Sequence, residues 1–229
     1  MFPARSFKTL VVDASAVRNA TADTTVGVDF EDIQRQLAGM HLTVLINNAG
    51  GGLSNPTYAP LQSISEERVT SNISLNALFP MHLIRVLLPT LIANSPSLIM
   101  NITSFADQGF PFLTPYASSK ALLVTLTRAP GPELTMSGHD VEVLGVKVGK
   151  TTGAFGYEMA PTLFLPHARS LAKAALDKIG CGRRIAVAYW PHALQGLPFD
   201  LVSQGLMDKL ATKAILREKA AEEKARKRA

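Results

Sequence analysis

The chain has one cysteine, Cys181, in 229 residues. A single thiol excludes an internal disulfide framework and fits a reducing compartment. The five histidines are scattered, and no Cys/His cluster has ligand spacing, so a structural metal is not expected. Charged residues make up only 18% of the chain and apolar residues 47%, which excludes a disordered chain and fits a packed core. Long uninterrupted apolar runs are also scarce. The nearest, residues 75–92, carries His82 and Arg85 and is broken by Pro80 and Pro89, so no bilayer-spanning segment is expected. Met1-Phe-Pro-Ala-Arg-Ser is followed by no apolar stretch, unlike a secretory signal.

The length suits one α/β domain. The net charge of +5 has a local source. Residues 213–229 hold seven Lys/Arg against three Glu. This reads as a solvated terminal helix, or as a contact for anionic headgroups or substrate phosphates. No aromatics interleave the charges, which argues against nucleic acid.

Apolar patterning lays out alternating elements. Residues 9–13 form a short apolar run closed by Asp13 and predict a buried strand. Phe30, Ile33 and Leu37 show helical spacing before Gly39. Residues 42–46 predict a second strand, ending in Asn47-Asn48-Ala49-Gly50-Gly51-Gly52, where glycine permits a close backbone approach. Ser63-Ile-Ser-Glu66 is a capping box, so a long helix is expected to start at Ser63 or Ser65 and run to about Leu91. Residues 98–102 predict a third strand, and residues 104–115 a loop.

A helix follows that carries Tyr116 and Lys120 one turn apart. Pro130 and Pro132 should end or kink it near Arg128. Further strands are expected at 141–146 and 184–189, with helices at 171–179 and 199–224. The alternation of near-continuous apolar strands with helices predicts a parallel sheet covered on both faces.

The polar residues at the strand ends suggest chemistry. Ketone reduction needs a proton donor at the carbonyl oxygen. A phenol titrates near 10, and a lysine amine one helical turn away is expected to lower that value. Ser104, at the mouth of its strand, is placed to hold the substrate oxygen. Tyr-x-x-x-Lys alone is weakly specific; its order with Asn-Asn-Ala-Gly and Ser104 carries the argument.

On these motifs the sequence resembles the short-chain dehydrogenase/reductase family over nearly the whole chain. The resemblance implies a Rossmann-like doubly wound parallel sheet over residues 1–205, with a basic helix or tail over 206–229. It implies catalytic roles for Ser104, Tyr116 and Lys120, and for Asn76, which would complete a proton relay; Asn72 is the competing asparagine. Asn47, Asn48, Ala49 and Gly50 would line the cofactor, with Tyr116 and Lys120 also in reach of it. Asp13 would contact the adenine amino group. Gly149 survives where the family has Pro-Gly, and Thr151 or Thr152 would meet the nicotinamide carboxamide. Ile102-Thr-Ser-Phe105, Gly138-His-Asp-Val-Glu-Val143 and Ala188-Tyr-Trp-Pro-His-Ala193 are similar to the very-long-chain 3-oxoacyl-CoA reductases and 17β-hydroxysteroid dehydrogenases. They imply NADPH, with NADH not excluded, a bulky hydrophobic ketone or acyl-CoA, and the endoplasmic reticulum membrane surface.

Two departures from the resemblance carry expectations. Met1 stands just before the family's third strand, so the first two strands and the Gly-rich phosphate loop are expected to be absent from this chain. A catalytically crippled remnant or interaction module is therefore the alternative to a working reductase. The family's sheet order places the two missing strands between the third and the fourth. Residues 10–13 are then expected to pair directly with residues 44–46, since an unpaired apolar strand invites aggregation. Pro130-Gly131-Pro132 falls in a helix that the family uses for dimer contacts, which leaves a homodimer open.

Overall fold

The protein is described by a computed structural model covering residues 6–17, 27–52, 56–153 and 159–226. Four strands form one parallel sheet in the order β1-β2-β3-β4. They are β1 (Val44–Asn47), β2 (Ser97–Ser104), β3 (Val141–Val148) and β4 (Ile185–Val187). The two central strands are the buried apolar runs of the sequence, and pairing registers Asn47 with Asn101 and Asn101 with Gly145.

Helices cover both faces. On one side α1 (Phe30–Leu37), α3 (Phe79–Ala93) and α5 (Pro130–Met136) contribute to a core of Leu45, Ile84, Leu87, Leu91, Ile99 and Val143. On the other, α6 (Ala168–Leu176) packs Leu171 and Ala175 against Leu98, Met100, Leu144 and Val146. Alternate residues of β2 thus feed opposite cores, as the strand period requires. Each such side chain contributes about 1.5–3 kcal/mol on full burial.

The capping box works at its second serine. Ser65 Oγ accepts the Arg68 N–H at 3.2 Å, and α2 (Glu66–Ile73) runs through one π-helical turn, Ser74–Leu78, into α3. This continuous helix, Glu66–Ala93, is long and apolar enough by length and composition to cross a membrane, despite the prolines that argued otherwise. Its Ile84, Leu87 and Leu91 lie in the core, as in the central helix of a globular domain.

The structure corrects three expectations. Residues 9–13 form no strand; Val11 is 94% exposed, and Asp13 instead caps a short 3-10 turn, Ala14–Ala16. The expected pairing with residues 44–46 is therefore not found. Among the described residues β1 pairs with β2 alone, and Val44 and Ile46 stay about half exposed. An apolar run becomes a strand only when a partner supplies its ladder; residues 9–13 stay largely exposed, and it is the turn after them that packs on the helix side, where Ser74 Oγ donates to the Val17 carbonyl. Third, the single helix expected over 199–224 is two: α7 (Trp190–Leu201) and α8 (Gln204–Arg226), separated at Val202-Ser203. The fifth expected strand ends at Val187 because Tyr189 already caps α7.

Candidate active site

The carboxyl ends of β1 and β2 and the first turns of α4 (Thr114–Arg128) meet at one place. A buried polar chain fixes α4 against the sheet. Asn47 Nδ2 donates to Asn101 Oδ1 at 2.7 Å, and Asn101 Nδ2 to Thr127 Oγ1 at 2.9 Å. Thr127 in turn donates to the Leu123 carbonyl. Buried polar groups that are fully paired specify one arrangement, and this one sets the height of Tyr116 and Lys120 along the strands. Sequence reasoning assigned Asn47 to ligand contact and missed Asn101 and Thr127. An asparagine inside the apolar run 98–102 was the available signal.

Tyr116 shares a hydrogen bond with the Ser104 side chain, and Ser104 Oγ also accepts the Ala106 N–H at 3.1 Å. Lys120 is 5% exposed. Its Nζ donates to the Ile102 carbonyl at 2.9 Å and lies 5.8 Å from the centre of the Tyr116 ring. Asn76 Oδ1 accepts the Gly51 N–H at 2.9 Å, while its Nδ2 donates to the Gly51 carbonyl, the Asn72 carbonyl and Asn72 Oδ1. Asn72, the competing asparagine, is thus hydrogen-bonded to Asn76. Gly50 closes the group, since a Cβ there would reach both Asn76 and Lys120.

The structure therefore brings Ser104, Tyr116, Lys120, Asn76 and Gly50 together. Asn48 and Ala49 lie in the connecting turn, where the Asn48 N–H donates to the Ile46 carbonyl. Asp13 lies elsewhere, its carboxylate accepting from the Ser15 N–H and hydroxyl, which holds its pKa below the usual carboxylate value. Gly149 and Thr151 follow β3. The Thr152 hydroxyl is engaged with both the N–H and the carbonyl of Met159.

The protonation balance differs from the expected one. Burial raises the Tyr116 phenol, and the Ser104 hydrogen bond partly opposes this. Burial lowers Lys120 to about 8. The amine is directed at the Ile102 carbonyl, and the phenol's shift follows burial and Ser104.

Two further features were not anticipated. His192, on α7, has no exposed surface, and its Nδ1 accepts the Gly149 N–H at 3.1 Å. It therefore pins the turn after β3. Lys147 and Asp107 form a nearly buried ion pair at 2.7 Å just beyond Ser104, with Lys147 Nζ 5.6 Å from the Phe105 ring centre. A cleft of about 220 Å³ opens beside this group between residues 108–111 and the α7–α8 pair. Among the described residues no cluster of His, Cys, Asp or Glu could hold a metal.

The family described as short chain dehydrogenase matches residues 10–161, more than half the chain. Very-long-chain 3-oxoacyl-CoA reductases are similar in sequence. That of Phaeosphaeria nodorum is 29% identical over 201 residues, covering 84% of this chain and 55% of the relative. That of Pyricularia oryzae is 30% identical over 172 residues, covering 72% and 50%. The chain spans about half the length of these curated relatives. Among solved structures, a 7β-hydroxysteroid dehydrogenase has a TM-score of 0.66 at 14% identity, over 81% of this chain and 70% of that one. A short-chain dehydrogenase from Sphingobium yanoikuyae in complex with NADPH has a TM-score of 0.59 at 24% identity, over 80% and 75%. These two likenesses concern the fold.

Proposed function

Because this chain belongs to the short-chain dehydrogenase family, we propose that it serves an NADPH-linked reductase of 3-oxoacyl-CoA. The observation that carries the reading is the contact of a phenol with a serine hydroxyl above a buried amine. The curated relatives named above support the acyl-CoA substrate over a steroid.

The residues present fit the nicotinamide end of such a cofactor. Lys120 has three N–H donors, and among the described residues no carboxylate forms an ion pair with it. Gly50 approaches it so closely that a Cβ there would stand 3.0 Å from its Nζ. When bound, the dinucleotide supplies a hydride.

The chain's own groups handle the proton and the orientation. Ser104 and Tyr116 would both offer hydroxyls to the substrate carbonyl oxygen. Tyr116 is fully protonated at neutral pH and donates as negative charge develops on that oxygen. Lys120 would hold the cofactor's ribose through its remaining N–H donors, and Asn76 orders the backbone of Gly51 beside it. Thr152 is occupied by the loop, so the carboxamide contact falls to Thr151, and Asp13 would meet the adenine. The basic C-terminal helix and the location implied by the resemblance, the endoplasmic reticulum surface, suit an acyl chain partitioned into lipid.

Titrating the chain with NADPH and following nicotinamide fluorescence tests this reading. Saturable binding at roughly micromolar concentration is expected, within the usual range for such sites. No saturation up to about 1 mM would contradict it.

A further inference from the structure

Two consecutive helices turn unpartnered faces outward. On α7, Trp190, Leu194, Leu197 and Leu201 recur at helical spacing, and they are 62%, 48%, 49% and 77% exposed. Large apolar side chains so aligned normally face a core. Across the break at Val202-Ser203 the pattern continues with Leu206, Leu210 and Leu216 on α8, each close to half exposed.

The charges on α8 are segregated. At about 100° per residue, Lys209, Lys213, Arg217 and Lys224 fall on the same face as those leucines, and all four are exposed. The acids point away from it. Glu218 pairs with Lys150, Glu222 accepts the Thr57 N–H, and Asp208 accepts from Gln204. Only Glu223 borders the cationic face.

The inner side of the same helices packs against the loop that follows Ser104. Phe199 stacks on Phe105 and Phe110. Lys219 lies over the Phe112 ring at 4.9 Å.

From these faces we infer that α7 and α8 form a monotopic docking surface for an anionic bilayer, seating the entrance to the site against the lipid. An apolar stripe beginning in tryptophan and continuing into a leucine–lysine face fits the boundary between acyl chains and anionic headgroups. A second copy of the chain fits less well, because two such faces would oppose lysines to lysines. The inference deepens the membrane-surface reading given above and is independent of the reductase chemistry.

Trp190 is the only tryptophan, so its emission reports this surface directly. The full chain is mixed with vesicles of phosphatidylcholine, with or without about one-third phosphatidylserine. A blue shift on the anionic vesicles is expected, weakened by salt. The exposed triple variants Leu194→Ser/Leu197→Ser/Leu201→Ser and Lys209→Gln/Lys213→Gln/Arg217→Gln should each weaken binding by about tenfold or more. No shift with either vesicle would overturn the proposal, as would binding unaffected by the variants. A shift that follows protein concentration without vesicles, with a dimer by light scattering, would assign the face to a second copy and also overturn it. Unchanged NADPH binding alongside any of these results keeps the two readings separable.

Discussion

Asn76 lies so close to Gly50 that a Cβ on the glycine would stand 2.8 Å from the Asn76 Oδ1 and 3.0 Å from Lys120 Nζ. The asparagine cannot swing aside without releasing Gly51 and Asn72. The Asn-Asn-Ala-Gly turn, the helix asparagine and the lysine therefore share one packing unit.

Gly50→Ala is expected to destabilise the fold by about 1–3 kcal/mol through overpacking. Gly52→Ala is the control, because its Cβ would meet only Thr57 at 3.9 Å, and it should remain within about 0.5 kcal/mol. Denaturant midpoints of the two variants check this.

Burial lowers Lys120 to about 8 in the folded chain, from the usual 10.5 of a lysine. The unfolded chain therefore binds more protons between these values, and stability rises with pH across that window. The burial penalty is present in full below about 8. Lys120→Met should flatten the rise between pH 8 and 10 and raise the thermal midpoint at pH 7, even though the Ile102 carbonyl loses its donor. Melting curves over that range measure both effects.

His192 accepts from Gly149 through Nδ1, which assigns the proton of the neutral ring to Nε2. Burial lowers its pKa, so the folded ring binds fewer protons than the unfolded one as the pH falls through about 6.5, and stability drops there. His192→Asn keeps an acceptor and should keep slow exchange of the Gly149 amide. His192→Leu should speed that exchange at least about tenfold and destabilise by about 1–3 kcal/mol. Amide exchange resolved at Gly149 distinguishes them.

Asp107→Ala would leave Lys147 enclosed without its partner, at a cost of about 3 kcal/mol or more. The double variant Asp107→Leu/Lys147→Met removes both charges and should recover most of that loss. A double-mutant cycle on unfolding free energies reads the coupling.

The sequence made the central strands and α4 legible because each states its own burial. Residues 98–102 and 141–146 are mostly apolar, and the serine-capped helix start and the proline stop after Arg128 are local signals. Residues 9–13 misled because a strand is a relation between two segments, and apolarity names only one of them. The break between α7 and α8 was missed, although Trp190-Pro191 offered a helix start, proline being favoured in the first turn.

At the candidate site, the grouping of Tyr116, Lys120 and Ser104 followed from spacing and strand ends. The supports did not. Asn101, Thr127 and His192 act through neighbours between 26 and 54 residues away, and no periodicity marks such pairs. The electrostatic direction at Tyr116 was also out of reach, since it follows from the burial of the phenol.

The most direct test of the account is the rate of NADPH oxidation by the chain with a long-chain 3-oxoacyl-CoA, compared with that of Tyr116→Phe. The account predicts turnover that falls by about 10²–10⁴-fold when the phenolic proton is removed, with NADPH affinity retained. Turnover unchanged in Tyr116→Phe, or no turnover by the unaltered chain under saturating cofactor, would contradict it.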